Sequence, residues 1–105
     1  MVLDSCRVIS RIVGTKRYST DPARATELSR SASRSWELVH LFRTSGGEFF
    51  IATLQLTKDR QHPTVDKLEV ITQARAVAVY QEHADVGTVL VDFGTAFPDL
   101  VIEDV

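Results

Sequence analysis

The stretch that most constrains this chain is residues 36–56, WELVHLFRTSGGEFFIATLQL. Apolar, aromatic and β-branched residues fill both of its halves, as is typical of strands. Two adjacent glycines, Gly46 and Gly47, interrupt it, and glycine adopts the positive φ of tight hairpin turns at little cost. We therefore expect an antiparallel hairpin here, with the rest of an α+β domain built around it.

The glycines are compatible with two hairpin registers. A two-residue loop at 45–46 would place Arg43 opposite Glu48, so that opposite charges meet across the strands. A loop one residue later would shift the pairing and lose this charge pair. We expect the first register, in which Phe42 also faces Phe49.

Both faces of the predicted hairpin are largely apolar. Side chains alternate between faces along a strand. One face is predicted to carry Trp36, Leu38, His40, Phe42, Phe49, Ile51 and Thr53, and the other Val39, Leu41, Phe50, Ala52 and Leu54. A hairpin with one face in water alternates between apolar and polar residues, and this one does not. Each face therefore needs a cover, and a face left open by the chain itself could form a homodimer.

The strongest predicted helix runs over about 72–84 and supplies one cover. Thr72 is a suitable N-cap, and alanine and glutamine, which favour helix, are frequent after it. The helical period places Ala74 and Val77 on the apolar face and His83 in water.

A second, short helix is predicted over about 21–32. Asp21 followed by Pro22 is a typical helix start. Its thin apolar stripe consists of Ala25, Leu28 and Ala32. Whether this stripe or a partner covers the second hairpin face remains open from the sequence.

The remaining segments are predicted to form strands, a turn and a loop. Residues 6–13 and 68–71 are predicted strands, and 14–17 is a predicted turn after which Tyr18 extends a short return strand. The polar segment 57–67 is predicted to be a mobile loop. Residues 88–93 match both a strand and a helical face, and we expect a strand because glycines bound a run of strand length.

Composition suits a single domain spanning 1–105. The chain has 44% hydrophobic residues and a formal net charge of −2, which excludes a disordered composition. No apolar run reaches the length of about 18 residues that a membrane helix needs. We expect no signal peptide, and the single cysteine, Cys6, fits a reducing cytoplasm.

Chemistry-bearing residues are scattered along the sequence. The candidate metal ligands and nucleophiles are Cys6, His40, His62 and His83, each isolated from the others. Zinc sites need about four such ligands, usually at short spacings, and no phosphate-binding glycine motif is present. The sequence therefore predicts a non-catalytic protein without a cofactor, and an enzyme with an unrecognised site is the second alternative.

Charge is divided unevenly along the chain. Residues 1–52 hold eight Lys/Arg and five Asp/Glu, whereas residues 53–105 hold four and nine, with no basic residue after Arg75. The acidic residues that follow Arg75 are Glu82, Asp85, Asp92, Asp99, Glu103 and Asp104. We predict that they form a protein-binding surface for a basic partner.

The basic first third favours a different function. Arg17, Arg24, Arg30 and Arg34 could contact phosphates if the last three project from, or from just beyond, the predicted first helix. Against this stands the slightly acidic chain as a whole, with a pI of about 5.9. A small nucleic-acid-binding regulator is therefore the first alternative.

Several short segments resemble a group of known proteins. They are Tyr18-Ser19-Thr20 with Ala25-Thr26-Glu27-Leu28, the run Leu41 to Phe50, Ile71-Thr72 with Ala74, and Ala96-Phe97-Pro98 with Ile102-Glu103-Asp104. In these segments the chain resembles small uncharacterised α+β proteins carried by bacteria, phages and plasmids. Those proteins often have two acidic residues after the position of Thr72, where this chain has Gln73. The resemblance implies a mobile-element accessory protein, some of which inhibit host defences such as CRISPR complexes, and it carries no catalytic residues.

Overall fold

The α+β architecture expected from the sequence is confirmed in the computed structural model, which describes residues 8–34, 37–55 and 66–105. Its elements are β1 (Ser10–Val13), β2 (Lys16–Ser19), β3 (Ala25–Arg34), β4 (Glu37–Thr44), β5 (Phe49–Gln55), β6 (Lys67–Ile71), α1 (Gln73–Val86), β7 (Thr88–Val89) and α2 (Phe93–Ala96). Within these residues an antiparallel sheet has the order β6-β5-β4-β3-β7, and β1 and β2 form a separate hairpin.

The β4–β5 hairpin forms as predicted, but its register is one residue away from the expected one. Arg43 pairs with Phe49, and Phe42 pairs with Phe50. The loop has three residues, because the Gly47 amide donates to the Thr44 carbonyl at 3.0 Å and Gly47 takes a φ of 87°. A third loop residue in the left-handed conformation is a common hairpin solution, and it replaces the expected Arg43–Glu48 pair.

Because the register differs by one residue, the β5 side chains that share a face with a given β4 residue are not the expected ones. Phe42 and Phe50 now stack on the same face, with ring centroids 5.0 Å apart, and Phe49 lies on the other. One face, here called the β1–β2 side, packs against Ile9 and Tyr18 of the first hairpin region. The opposite face, here called the helix side, packs against α1 and α2. It contains the buried residues Leu28, Leu41, Phe49, Ala76, Tyr80, Ala96 and Phe97.

The prediction of a helix over 21–32 is wrong, because residues 25–34 form β3. Asp21 and Pro22 begin only a single turn, in which the Asp21 carbonyl accepts from the amides of Arg24 and Ala25 at 2.8 and 3.0 Å. The chain then enters β3 and pairs with β4 along its length. Without β3 the edge of β4 would lack these ladder hydrogen bonds, and this tertiary pairing outweighs the local helix signal.

The three residues of the apolar stripe predicted for this helix do not lie on the same side of the sheet. Ala25 packs on the β1–β2 side and Leu28 on the helix side, whereas Ala32 is exposed. Register irregularities between Glu27 and Ser29 and between Ala32 and Arg34 interrupt the alternation of β3. A strand with such bulges lacks the clean period of two by which strands are recognised.

The predicted helix over 72–84 is confirmed as α1. The Thr72 hydroxyl accepts from the Arg75 amide at 3.2 Å, as expected of an N-cap. Its buried residues, however, are Ala76, Tyr80 and His83, so the expectation that His83 faces water is wrong. The buried face is rotated because Tyr80 and the residues that follow α1 pack together on the sheet.

The segment 88–93, expected to be a strand, is a strand only at β7. Val89 and Thr88 pair with Ser29 and Arg30, and the chain turns into α2 at Phe93. Gly87 makes this close approach to β3 feasible, because a Cβ there would lie 2.3 Å from the Arg30 carbonyl oxygen.

The other predicted strands form, but their bounds differ from the expected ones. β1 covers only 10–13 of the strand predicted over 6–13, and β2 begins at Lys16, so the turn predicted over 14–17 is confined to 14–15. β6 contains the strand predicted over 68–71 and begins at Lys67, inside the predicted loop. Cys6, Trp36, and residues 57–65 of the predicted mobile loop lie outside the described residues. In the part of the chain that is described, no helix has the length and apolar character needed to cross a membrane.

Candidate functional site

The six acidic residues singled out from the sequence are all exposed. Glu82 and Asp85 lie in the second half of α1, and Asp92 precedes α2 as its N-cap. The other three, Asp99, Glu103 and Asp104, follow α2 in a segment without helix or strand. These six carboxylates, which have in common their exposure and their place in the last part of the sequence, are called the acidic surface below.

Exposed aliphatic side chains accompany the acidic surface. Val86, at the end of α1, is 73% exposed, and Leu90, beyond β7, is 44% exposed. Val89 between them is also exposed, as are Val101 and Ile102. A contiguous apolar patch with a polar rim is characteristic of sites where one protein binds another.

A groove of about 290 Å³ opens between α1 and the sheet beside these residues. Val39, Ile51, Val79 and Val86 give it an apolar lining, and Arg75 and Glu82 contribute charges. Val86 and Glu82 belong both to this groove and to the surface described above. The groove therefore has room for an apolar group beside the Glu82 carboxylate.

Aromatic packing fixes the segment that carries Asp92. The Tyr80 hydroxyl donates to the Val91 carbonyl at 2.7 Å, and the Tyr80 ring makes edge contacts with Phe93 and Phe97. Burial, with a smaller contribution from the Asp92 charge, raises the pKa of Tyr80 above its usual value. The Tyr80 phenol therefore stays protonated near neutral pH and keeps its role as a donor.

The Asp92 side chain forms a hydrogen bond with Thr95, in the first turn of α2. The Thr95 hydroxyl donates to the Asp92 carboxylate. This hydrogen bond is the main reason that the pKa of Asp92 is lowered. Asp92 therefore contributes a full negative charge to the acidic surface at neutral pH.

A serine–histidine pair, which sequence reasoning missed, lies beneath α1. The Ser29 hydroxyl oxygen and Nδ1 of His83 are 2.8 Å apart, and both residues are almost completely buried. Burial lowers the pKa of His83, so the imidazole is neutral at neutral pH. A catalytic serine must reach its substrate, and the burial of Ser29 favours a structural role instead. The β3 pairing is irregular between Glu27 and Ser29, so no alternating pattern in the sequence marks Ser29 as buried.

A second polar group lies on the β1–β2 side of the sheet. The Glu27 carboxylate contacts Nδ1 of His40 at 2.5 Å and the Arg30 guanidinium at 2.8 Å. His40 is buried and Arg30 is partly buried. The Glu27 carboxylate is thus held by a contact with His40 and by an ion pair with Arg30, and buried carboxylates are usually partnered in this way.

The arginines proposed for nucleic-acid binding do not form one patch on a helix. Arg30 pairs with Glu27 in β3, and Arg34 ends β3, with its side chain outside the described part. Arg17 and Arg24, by contrast, line the same concave surface near the β4–β5 loop. Both are exposed, so two of the four predicted residues come together.

Side chains that could ligate a metal do not cluster in the part of the chain that the structure describes. Across 8–34, 37–55 and 66–105, no group of three or more His, Cys, Asp or Glu is arranged to hold a metal ion. Cys6 and His62 lie outside these ranges. Comparison of the chain with protein-family models, with curated proteins and with solved structures finds no match.

Proposed function

We propose that this chain is a non-catalytic binding protein whose acidic surface docks onto a basic protein partner. The observation that carries the proposal is the placement of Val86 and Glu82, which border both the apolar groove and the acidic surface. Protein interfaces combine a desolvated apolar centre with a charged rim in the same way. The buried position of Ser29 and His83 supports the non-catalytic part of the proposal.

The two components of this surface have different roles in binding. Aliphatic side chains bury area against the partner, and their loss mainly speeds dissociation. Carboxylates at the rim attract a basic partner and mainly speed association. No Lys or Arg follows Arg75 in the sequence, so the part of the chain that carries the six carboxylates has no Lys or Arg of its own.

A basic partner of this kind suits an inhibitor of nucleic-acid-handling complexes. Such complexes hold phosphates with lysine and arginine, and a protein carboxylate can occupy the same positions. The proposed role is therefore an accessory or inhibitory protein of a mobile element, acting in the cytoplasm on a host defence complex. A homodimer through an open hairpin face has less support, because five large apolar residues from both faces are buried within the chain: Leu41, Phe42, Phe49, Phe50 and Leu54.

The test compares partner capture by two matched double variants. Asp85→Asn with Val86→Ser removes one charge and one exposed aliphatic side chain from the proposed surface. Glu69→Gln with Val13→Ser removes the same from exposed positions on β6 and β1. Proteins captured from host lysate by the wild-type chain are purified, and their affinities are measured by calorimetry.

We expect the surface variant to lower the affinity for the partner about tenfold, a change of about 1.4 kcal/mol, and the control to leave it within about twofold. Both variants should retain the wild-type circular dichroism spectrum. If the two variants bind the partner equally well, the acidic surface is not the binding site and the proposal fails.

A further inference from the structure

A second concave surface, of about 370 Å³, lies near the loop of the β4–β5 hairpin. It is called the tip pocket and is bordered by Lys16, Arg17, Arg24, Gly46 and Glu48, among others. Three cations and one carboxylate thus surround one cavity. We propose that the tip pocket binds the phosphate backbone of a single-stranded nucleic acid, independently of the acidic surface.

The carboxylate in the tip pocket is already engaged by its neighbours. Nζ of Lys16 lies 2.8 Å from one oxygen of Glu48, and the Tyr18 hydroxyl donates to the other at 2.7 Å. These two hydrogen bonds lower the pKa of Glu48, so the carboxylate remains ionised and bonded to Lys16. Glu48 therefore does not neutralise the two arginines.

Arg17 and Arg24 leave an unbalanced positive charge at the pocket. Neither guanidinium has an ion-pair partner among the residues that the structure describes, and both side chains are exposed. A guanidinium offers paired N–H donors that match the oxygens of a phosphate. An anion between them would relieve their mutual repulsion.

The backbone holds Arg24 beside the hairpin loop. The Ser45 amide donates to the Arg24 carbonyl at 3.2 Å, which joins the turn after β2 to the loop after β4. Gly46 follows in that loop, and a Cβ there would meet only the Thr44 hydroxyl, at 3.8 Å. The absence of a side chain at Gly46 leaves room for a phosphate to approach the loop.

The surroundings of Arg17 favour a nucleic acid over a free phosphate ion. Ile12 lies directly opposite Arg17 in the β1–β2 pairing and is 65% exposed. An unpaired base can rest on such an apolar side chain and on the guanidinium plane while its phosphate enters the pocket. Bases in a duplex are already stacked and cannot do so, which favours a single strand.

The test measures fluorescence anisotropy of a labelled single-stranded oligonucleotide of about 12 nucleotides at several salt concentrations. The variant Arg17→Gln with Arg24→Gln should bind at least about tenfold more weakly, and its salt slope should fall by about 2, one for each lost phosphate contact. The control, Lys67→Gln with Arg75→Gln, removes the same charge from exposed residues outside the tip pocket. It should bind within about twofold of wild type.

Further measurements separate the remaining sources of binding. Ile12→Ser should weaken binding of the oligonucleotide without changing the salt slope, because it removes a contact to a base and no charge. Equal weakening by the two double variants, or no binding by the wild-type chain, would overturn the proposal. So would equal affinity for inorganic phosphate, which would indicate a small-anion site, or for a duplex of the same sequence.

Discussion

Nδ1 of His83 lies 2.8 Å from the hydroxyl oxygen of Ser29, and this hydrogen bond ties α1 to β3. Both residues are buried among the apolar side chains of the helix side, and β3 is also the strand on which β7 docks. The pair therefore links the sheet, the helix and the segment that carries much of the acidic surface.

Ser29→Ala should lower the free energy of unfolding by about 1–3 kcal/mol. The reason is that a buried polar atom of His83 loses its partner and is left unsatisfied. Urea unfolding followed by circular dichroism measures the change. Ser10→Ala, at an exposed position in β1, is the control and should change stability by less than about 0.5 kcal/mol. Equal stability of the two variants would mean that the Ser29–His83 bond contributes nothing.

Stability should fall on mild acidification because of His83. Burial keeps the pKa of His83 below that of an unfolded histidine, so protons bind preferentially to the unfolded chain. This contribution is fully present above the unfolded pKa of about 6.5 and is lost as the pH falls from there through the lower folded pKa. The measurement is the free energy of unfolding between about pH 7.5 and about pH 5.5.

His83→Gln isolates this effect. Glutamine retains hydrogen-bonding groups but does not titrate, so the variant should lose less stability than wild type across the same pH range. Protonation of carboxylates affects both proteins alike and cancels in the difference. Identical pH slopes in the two proteins would show that His83 does not account for the acid sensitivity.

Gly87→Ala should be strongly destabilising, by at least about 1–3 kcal/mol. The added methyl group would lie 2.3 Å from the Arg30 carbonyl oxygen and 2.8 Å from Cβ of Ser31. Gly46→Ala is the matched control, because its methyl group meets nothing closer than 3.8 Å. Thermal unfolding compares the two, and a similar melting temperature for both variants would contradict the close packing of the α1–β7 connection on β3.

The hairpin register can be tested with the aromatic residues. Phe42 and Phe50 stack on one face, so a double-mutant cycle with leucine at both positions should give a coupling energy of about 0.5–1.5 kcal/mol. The same cycle on Phe42 and Phe49 should give almost none, because those side chains lie on opposite faces. A larger coupling energy for Phe42 and Phe49 would contradict this register and support the one expected from a two-residue loop.

The elements that were predictable from the sequence are those with local signals. The two glycines identify the β4–β5 hairpin, and Thr72 identifies the start of α1. The register was not predictable, because Gly47 can either join the loop or begin β5. Only the loop hydrogen bonds, with Gly47 at a positive φ, distinguish these two outcomes.

The missed features depend on partners far away in the chain. The sequence of β3 has the local features of a helix, and pairing with the edge of β4 makes it a strand. Its two bulges interrupt the alternation by which a strand is recognised. Ser29 and His83 have no motif in common and meet only because α1 crosses β3. Arg17 and Arg24 were recognisable as basic residues, but the turn that brings Arg24 to the hairpin loop was not.

The pairing of β7 with β3 also bears on the order in which the molecule folds. β3, β4 and β5 are neighbours both in sequence and in the sheet, whereas Ser29 and Val89 are far apart along the chain. Loop-closure entropy delays contacts between distant segments. We expect the β7 contacts to form late, so that a partner recognising Val86 and Leu90 would distinguish mature chains from folding intermediates.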